Sequence, residues 1–86
     1  MLPPPLTSAQ IRAARALIRW SAEELARHSA VSVTTIRRAE LRPSATVLTR
    51  VNDFAIRRAL EGAGVEFIDA DKSGPGVRLR QPPAHG

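Results

Sequence analysis

Apolar residues recur along most of the chain at the three- and four-residue spacing of amphipathic helices. Three of these stretches follow a serine or threonine that can cap a helix, and two of those caps have Gln or Glu three residues later, as in a capping box. Helices are therefore predicted over residues 8–19, 22–28 and 33–40. A fourth helix ends at the glycine-rich residues 62–64. Ser44 and Thr49 are both candidate caps for that helix, and we favour Thr49.

The pattern changes after residue 64, where two short runs, 65–68 and 77–80, are separated by a segment rich in Asp and Gly. This pattern predicts a β-hairpin. A lone hairpin is marginal in water, so we expect it to pack on the helices or to pair with another chain. Its candidate dimerisation residues are Val65, Phe67, Val77 and Leu79. The predicted organisation is an extended N-terminal arm (1–6), a helical domain (7–64), the hairpin (65–80) and a flexible tail (81–86).

The second and third predicted helices are short and lie three or four residues apart, which is the spacing of a helix-turn-helix. In that motif the first turn of the second helix reaches base edges in the major groove. Here that turn carries hydroxyl and methyl groups that suit base contacts, and two arginines follow. The candidate DNA-binding residues are Ser32, Val33, Thr34, Thr35, Arg37, Arg38 and Arg42. For Arg42, a phosphate contact and a plain loop position are equally compatible with the sequence.

The distribution of charge also favours a polyanionic partner. The net charge is +5, and residues 1–60 hold ten arginines against four acidic residues, whereas residues 61–86 hold three basic and four acidic residues. The excess positive charge therefore lies in the predicted helical part. The absence of cysteine and the presence of only two histidines argue against disulfides and metal sites. Without a phosphate-binding glycine loop or a catalytic constellation, we expect neither an enzyme nor a cofactor.

Three segments together resemble the Cro/phage-repressor (XRE) class of transcriptional regulators: IRAAR (11–15), WSAEELA (20–26) and VSVTTIRRAE (31–40). The resemblance covers about residues 7–61, and residues 56–68 look like the ending of short bacterial members. It implies a mainly α, four- to five-helix repressor-like DNA-binding domain that contains a helix-turn-helix and is followed by a short C-terminal β-hairpin.

The resemblance also implies roles for individual residues. Ser21 matches a position where backbone amides meet a phosphate, and Arg15 and Glu40 match a structural pair that ties the first helix to the end of the third. Two positions depart from the class. Ala22 replaces a frequent glutamine, which removes a phosphate contact. Ala30 replaces a frequent glycine and is strained if the turn needs a positive φ. The hairpin also stands in place of the usual fifth helix.

Four further side chains carry structural expectations. We expect Trp20 to pack between the first and second helices, and His28 to lie on the surface near a helix end. Arg57 and Arg58 are expected to be solvated or paired with Glu61 rather than bound to DNA.

Together these observations predict a cytoplasmic, homodimeric regulator, a repressor, that binds a near-palindromic operator in double-stranded DNA. No stretch of about 20 apolar residues and no signal peptide is present, so no membrane partner is expected. The alternative is an antitoxin or accessory module whose hairpin binds a partner protein such as a toxin. RNA binding ranks third, because the three aromatic residues do not form the usual stacking platforms.

Overall fold

The computed structural model describes residues 4–41, 48–70 and 73–80 of the 86-residue chain. The helices are α1 (Ser8–Ile18), α2 (Ala22–Ser29), α3 (Val33–Leu41) and α4 (Arg50–Gly62), and the strands are β1 (Val65–Ile68) and β2 (Gly76–Leu79). The strands form an antiparallel hairpin. The predicted mainly helical fold with a terminal hairpin is confirmed, and the helices in these ranges number four. Several element ends differ from the predicted bounds by one residue.

Capping boxes define where α1 and α2 begin. The Thr7 hydroxyl accepts a hydrogen bond from the Gln10 amide at 3.0 Å, and the Gln10 side chain accepts from the Thr7 amide at 2.9 Å. Ser21 and Glu24 make the same two contacts at the start of α2. Helix α1 ends one residue before the predicted position, because Arg19 adopts the left-handed conformation with a φ of 58°. Both capping boxes are confirmed.

Helix α4 begins at the favoured cap. The Thr49 hydroxyl accepts from the Asn52 amide at 3.1 Å, and the alternative cap, Ser44, lies outside the described residues. The expectation for Arg57 was wrong, because this residue is only 7% exposed. It donates to the Pro4 carbonyl at 3.0 Å and lies over the Phe67 ring at 5.3 Å. Burial under the hairpin thus replaces the predicted contact with solvent, whereas Arg58 is exposed as expected.

The segment before α1 belongs to the core. Leu6 is 1% exposed, although the sequence interpretation assigned it to the extended arm. Its amide donates to Asp53 Oδ2 at 2.8 Å, so a buried carboxylate of α4 fixes this segment. All four helices and β1 contribute to the same core, whose largest fully buried side chains are Leu6, Ile11, Leu25, Ile36, Ile56, Leu60 and Val65.

The hairpin packs its apolar face on the helices, which is the first of the two expected placements. Val65 is fully buried, and Phe67 and Val77 pack against the core. The Gln10 amide group donates at 3.1 Å to two hairpin carbonyls, those of Ile68 and Gly76. The prediction that this face forms a dimer contact is therefore wrong for Val65 and is not supported for Phe67 and Val77. Of the four candidates only Leu79 is exposed, at 37%.

Candidate nucleic-acid interface

Helix α3 buries one side and presents the other. Ile36 and Ala39 are fully buried, so the positions between and before them face outward. Of the predicted DNA-binding residues on this helix and its cap, four are exposed and two are half-buried. The exposed residues are Ser32, Thr34, Arg37 and Arg38, and the half-buried ones are Val33 and Thr35. The structure therefore places Ser32, Thr34, Arg37 and Arg38 on the outward side of one helix, whereas Val33 packs partly against the core and Arg42 lies outside the described residues.

Two hydroxyl groups fix the start of α3. The Ser32 hydroxyl accepts from the Thr35 amide at 3.1 Å and donates to the Thr35 hydroxyl oxygen at 2.8 Å. The two hydroxyls share one proton in their mutual hydrogen bond, so one hydroxyl proton of the pair is left for a further acceptor. Thr34 is exposed between them, so this turn offers both a hydroxyl donor and methyl groups to a ligand.

A three-residue turn separates α2 from α3. Ala30 has a φ of 62°, and its amide donates to the Ala26 carbonyl at 2.8 Å to close α2. The Ser29 hydroxyl accepts from the Val31 amide at 3.2 Å, and Val31 is buried. Position 30 therefore requires the left-handed conformation that glycine adopts without strain, and alanine adopts it here at a cost of about 1–2 kcal/mol.

The Arg15–Glu40 pair holds α3 against α1. Arg15 donates from Nε at 2.7 Å and from Nη2 at 2.8 Å to the two carboxylate oxygens of Glu40, and from Nη1 at 2.9 Å to the Trp20 carbonyl. Arg12 adds a contact to the Glu40 carbonyl at 2.9 Å. The hydrogen bond to Glu40 raises the pKa of Arg15 further above its ordinary value. This bidentate contact brings together the two residues that the resemblance paired, and it fixes the angle at which α3 leaves the core.

The two arginines of α3 differ in their surroundings. Arg37 pairs with Glu23 in the first turn of α2, and both side chains are largely exposed, at 58% and 62%. A hydrogen bond from the backbone of Glu23 itself and the charge of Arg37 lower the pKa of this carboxyl below its ordinary value. Arg38 makes no hydrogen bond or ion pair with any residue of the described ranges. It is the more available cation of the two.

The start of α2 is less open to a phosphate than the sequence suggested. Ser21 is exposed, but its amide donates to Glu24 Oε1 at 2.9 Å and its hydroxyl accepts from the Glu24 amide at 3.0 Å. Glu23 adds a second carboxylate in the same turn. The protein's own anions thus occupy groups that Ser21 was predicted to offer, and they disfavour a further anion at this helix end.

Sequence reasoning missed two contacts near this surface. The Glu23–Arg37 pair joins residues 14 positions apart, and no periodic signal links them. The rings of Trp20 and His28 stack with centroids 4.3 Å apart and an interplanar angle of 12°. Trp20 packs against the core and His28 is exposed, as expected for each, but nothing in the sequence indicated that they touch.

Other parts of the described structure give weaker indications of a functional site. Residues 4–41, 48–70 and 73–80 contain no group of three or more His, Cys, Asp or Glu side chains that could hold a metal ion. Nor does a helix in those ranges combine the length and the apolar content that crossing a membrane requires. A cavity of about 260 Å³ lies beside the start of α4 and is lined by Pro5, Leu48, Arg50, Asp53 and Phe54. Among these described lining residues Arg50 and Asp53 carry charge, and Asp53 already accepts a hydrogen bond from the Leu6 amide.

No model of a known protein family matches the chain, and a search of curated proteins finds no match. Support for a function therefore comes from the geometry and charge of the chain itself.

Proposed function

We propose that the protein is a sequence-specific, double-stranded DNA-binding transcriptional regulator of the Cro/phage-repressor type, in which α2 and α3 form a helix-turn-helix. One observation carries this proposal. The side of α3 that bears Ser32, Thr34, Arg37 and Arg38 is open to solvent, while the opposite side is buried in the core. A helix held in this way can enter a major groove and present its first turn to base edges.

The individual contacts follow from side-chain chemistry. Thr34 and Thr35 offer hydroxyl and methyl groups to base edges, and the Ser32–Thr35 hydroxyl pair retains one proton to donate. Arg38 has no partner among the described residues and suits a phosphate or a guanine. The Arg15–Glu40 contact keeps α3 at a fixed angle to α1, which limits the reorganisation that binding would require.

A homodimer completes the proposal. Two copies would place their α3 helices in successive major grooves about 34 Å apart on a near-palindromic operator. Because most of the apolar face of the hairpin packs on its own helices, a dimer contact through the hairpin would have to use Leu79 and the outer edge of β2. The expected activity is repression in the cytoplasm, without a cofactor.

The outer edge of β2 also favours a second candidate, a protein-interaction module of the antitoxin or accessory kind. The Arg80 amide donates to the Gly64 carbonyl at 2.7 Å, and Val77 lies opposite Phe67. The alternation of an antiparallel ladder then directs the backbone groups of Val77 and Leu79 away from β1. An extended segment of a partner such as a toxin could pair with that edge.

Random-site selection on DNA, followed by a salt titration of the recovered duplex, tests the first candidate. We expect a two-fold-symmetric site for which the logarithm of the affinity falls linearly with the logarithm of the salt concentration, because arginine–phosphate contacts release counterions. Enrichment of no sequence, with affinity equal for every duplex, would contradict sequence-specific regulation. Co-purification of a stoichiometric protein that shields the β2 amides from hydrogen exchange would support the second candidate.

A further inference from the structure

An acidic side chain lies on the surface that is proposed to bind DNA. Glu23 lies in the first turn of α2, is 62% exposed and reaches across to Arg37 of α3. The phosphates of a duplex repel a carboxylate, so Glu23 weakens DNA binding if it lies near the phosphate backbone of the DNA. Its stability contribution is small, since exposed ion pairs stabilise folded proteins little. The Glu23–Arg37 pair therefore increases neither the affinity for DNA in general nor, to any large extent, the stability of the fold.

The pair changes which partner suits Arg37. The contact with Glu23 engages Nη2 alone, so the guanidinium keeps four of its five N–H donors. A carboxylate beside the guanidinium weakens its attraction for a further anion. A phosphate approaching it meets the carboxylate as well, whereas a guanine edge is an uncharged acceptor that can use the remaining donors.

We propose that Glu23 is a specificity-determining residue of this DNA-binding surface, because it disfavours a phosphate contact by Arg37 and leaves that side chain to bind a base edge. This inference rests on the proposed function. Glu23 is held in its charged form by its position at the start of α2 and by Arg37, so the restraint operates at neutral pH.

The neighbouring Arg38 shows the contrast. It is exposed and has no partner in the described part of the chain, so no described carboxylate competes with a phosphate for it. Two adjacent arginines of one helix thereby take different roles, because among residues 4–41, 48–70 and 73–80 a carboxylate pairs with Arg37 and none pairs with Arg38. Arg38 contributes affinity for any duplex, and Arg37 contributes discrimination between duplexes.

The test compares four variants: Glu23→Gln, Arg37→Gln, the double variant and Glu66→Gln. The last is a matched control, because Glu66 also forms an exposed pair with an arginine, Arg78, at 2.8 Å, but on the hairpin. Each variant is titrated with the duplex recovered by site selection and with a scrambled duplex of equal length and composition, over a range of salt concentrations. Circular dichroism verifies that each variant is folded.

We expect Glu23→Gln to bind the scrambled duplex about 3- to 10-fold more tightly at low salt and to steepen the log–log salt slope by about 0.9, the value of one added phosphate contact. The selected duplex gains less, so the ratio of the two affinities falls. In the Arg37→Gln background, the Glu23 substitution produces no such steepening. Glu66→Gln binds both duplexes as the wild type does.

Two results would overturn the inference while the proposed function stands. One is a wild-type protein that prefers its selected duplex and a Glu23→Gln variant with the same preference and the same salt slope. The other is an equal gain with and without Arg37, which would make Glu23 a general repulsive charge. A wild-type protein that binds no duplex would overturn the proposed function itself, and the inference with it.

Discussion

The inner contact between α1 and α3 and the outer surface shared by α2 and α3 each hold an arginine–glutamate pair. In the inner pair, Arg15 and Glu40 make two hydrogen bonds, and their side chains are only 22% and 10% exposed. The outer pair, Arg37 and Glu23, makes one contact in open solvent. The difference shows that burial and the number of contacts decide whether such a pair supports the fold or remains available to a ligand.

Breaking the inner pair, Arg15–Glu40, should lower the free energy of unfolding the most. Glu40→Gln leaves the Arg15 guanidinium without a countercharge in a mostly buried position. We expect a loss of about 2 kcal/mol, below the cost for a fully buried pair because Arg15 keeps some contact with water. Urea denaturation measures it. Glu66→Gln, which breaks an exposed pair, is the control, and equal midpoints for both variants would show that the two kinds of pair do not differ.

Removal of the buried Asp53 carboxylate should give the next largest loss of stability. In Asp53→Ala, the buried Leu6 amide loses its acceptor, so we expect a loss of about 1–3 kcal/mol and faster hydrogen exchange at Leu6. Asp69→Ala is the control, because that side chain is 48% exposed and lies 4.0 Å from Arg57. Its loss should be about 0.5 kcal/mol or less. Unchanged exchange at Leu6 in Asp53→Ala would refute the anchoring role.

The turn between α2 and α3 should become more stable on substitution. Ala30→Gly removes the strain of a left-handed alanine, and we expect a gain of about 1 kcal/mol in the free energy of unfolding. Thermal denaturation with a matched control measures it. Ala13→Gly places glycine in an exposed helical position of α1 and should lose about 1 kcal/mol. A loss in both variants would mean that position 30 does not need glycine-like freedom.

Breaking the outer pair, Arg37–Glu23, should change the pKa of Glu23 more than the stability of the fold. The pKa of Glu23 lies below its ordinary value, so the pair stabilises the folded state above that ordinary pKa and loses its contribution as the pH falls through the lower folded pKa. In Arg37→Gln we expect this pKa to rise, yet to stay lowered in part by the backbone hydrogen bond. Carboxyl carbon NMR follows the titration, with Glu66 as the internal control. A Glu23 pKa unmoved by the substitution would show that the pair does not form in solution.

Local signals account for most of what the sequence predicted. The capping residues Thr7, Ser21 and Thr49 and the apolar spacing lie within a few residues of the elements they define, and those elements are found. The hairpin followed from a change of period and its apolar positions. Such features depend on neighbours along the chain, which a sequence displays directly.

Contacts between distant segments were not predictable in the same way. Arg57 was expected to be solvated or paired with Glu61, one helical turn away, but its partners lie at Pro4 and Phe67. Leu6 was assigned to an arm because prolines precede it, although Asp53 anchors it. For the candidate site, the spacing identified the outward side of α3, but it could not show that Glu23 pairs with Arg37 while no described residue pairs with Arg38.

The most direct test of whether α3 binds DNA compares Arg38→Ala with Arg58→Ala. Both substitutions remove one exposed arginine, but Arg58 lies on α4, away from the proposed interface. We expect Arg38→Ala to weaken binding of the selected duplex about 10-fold or more, and Arg58→Ala to change it by about twofold or less, with both proteins folded. Equal affinities for the two variants would contradict the assignment of α3 as the helix that binds DNA.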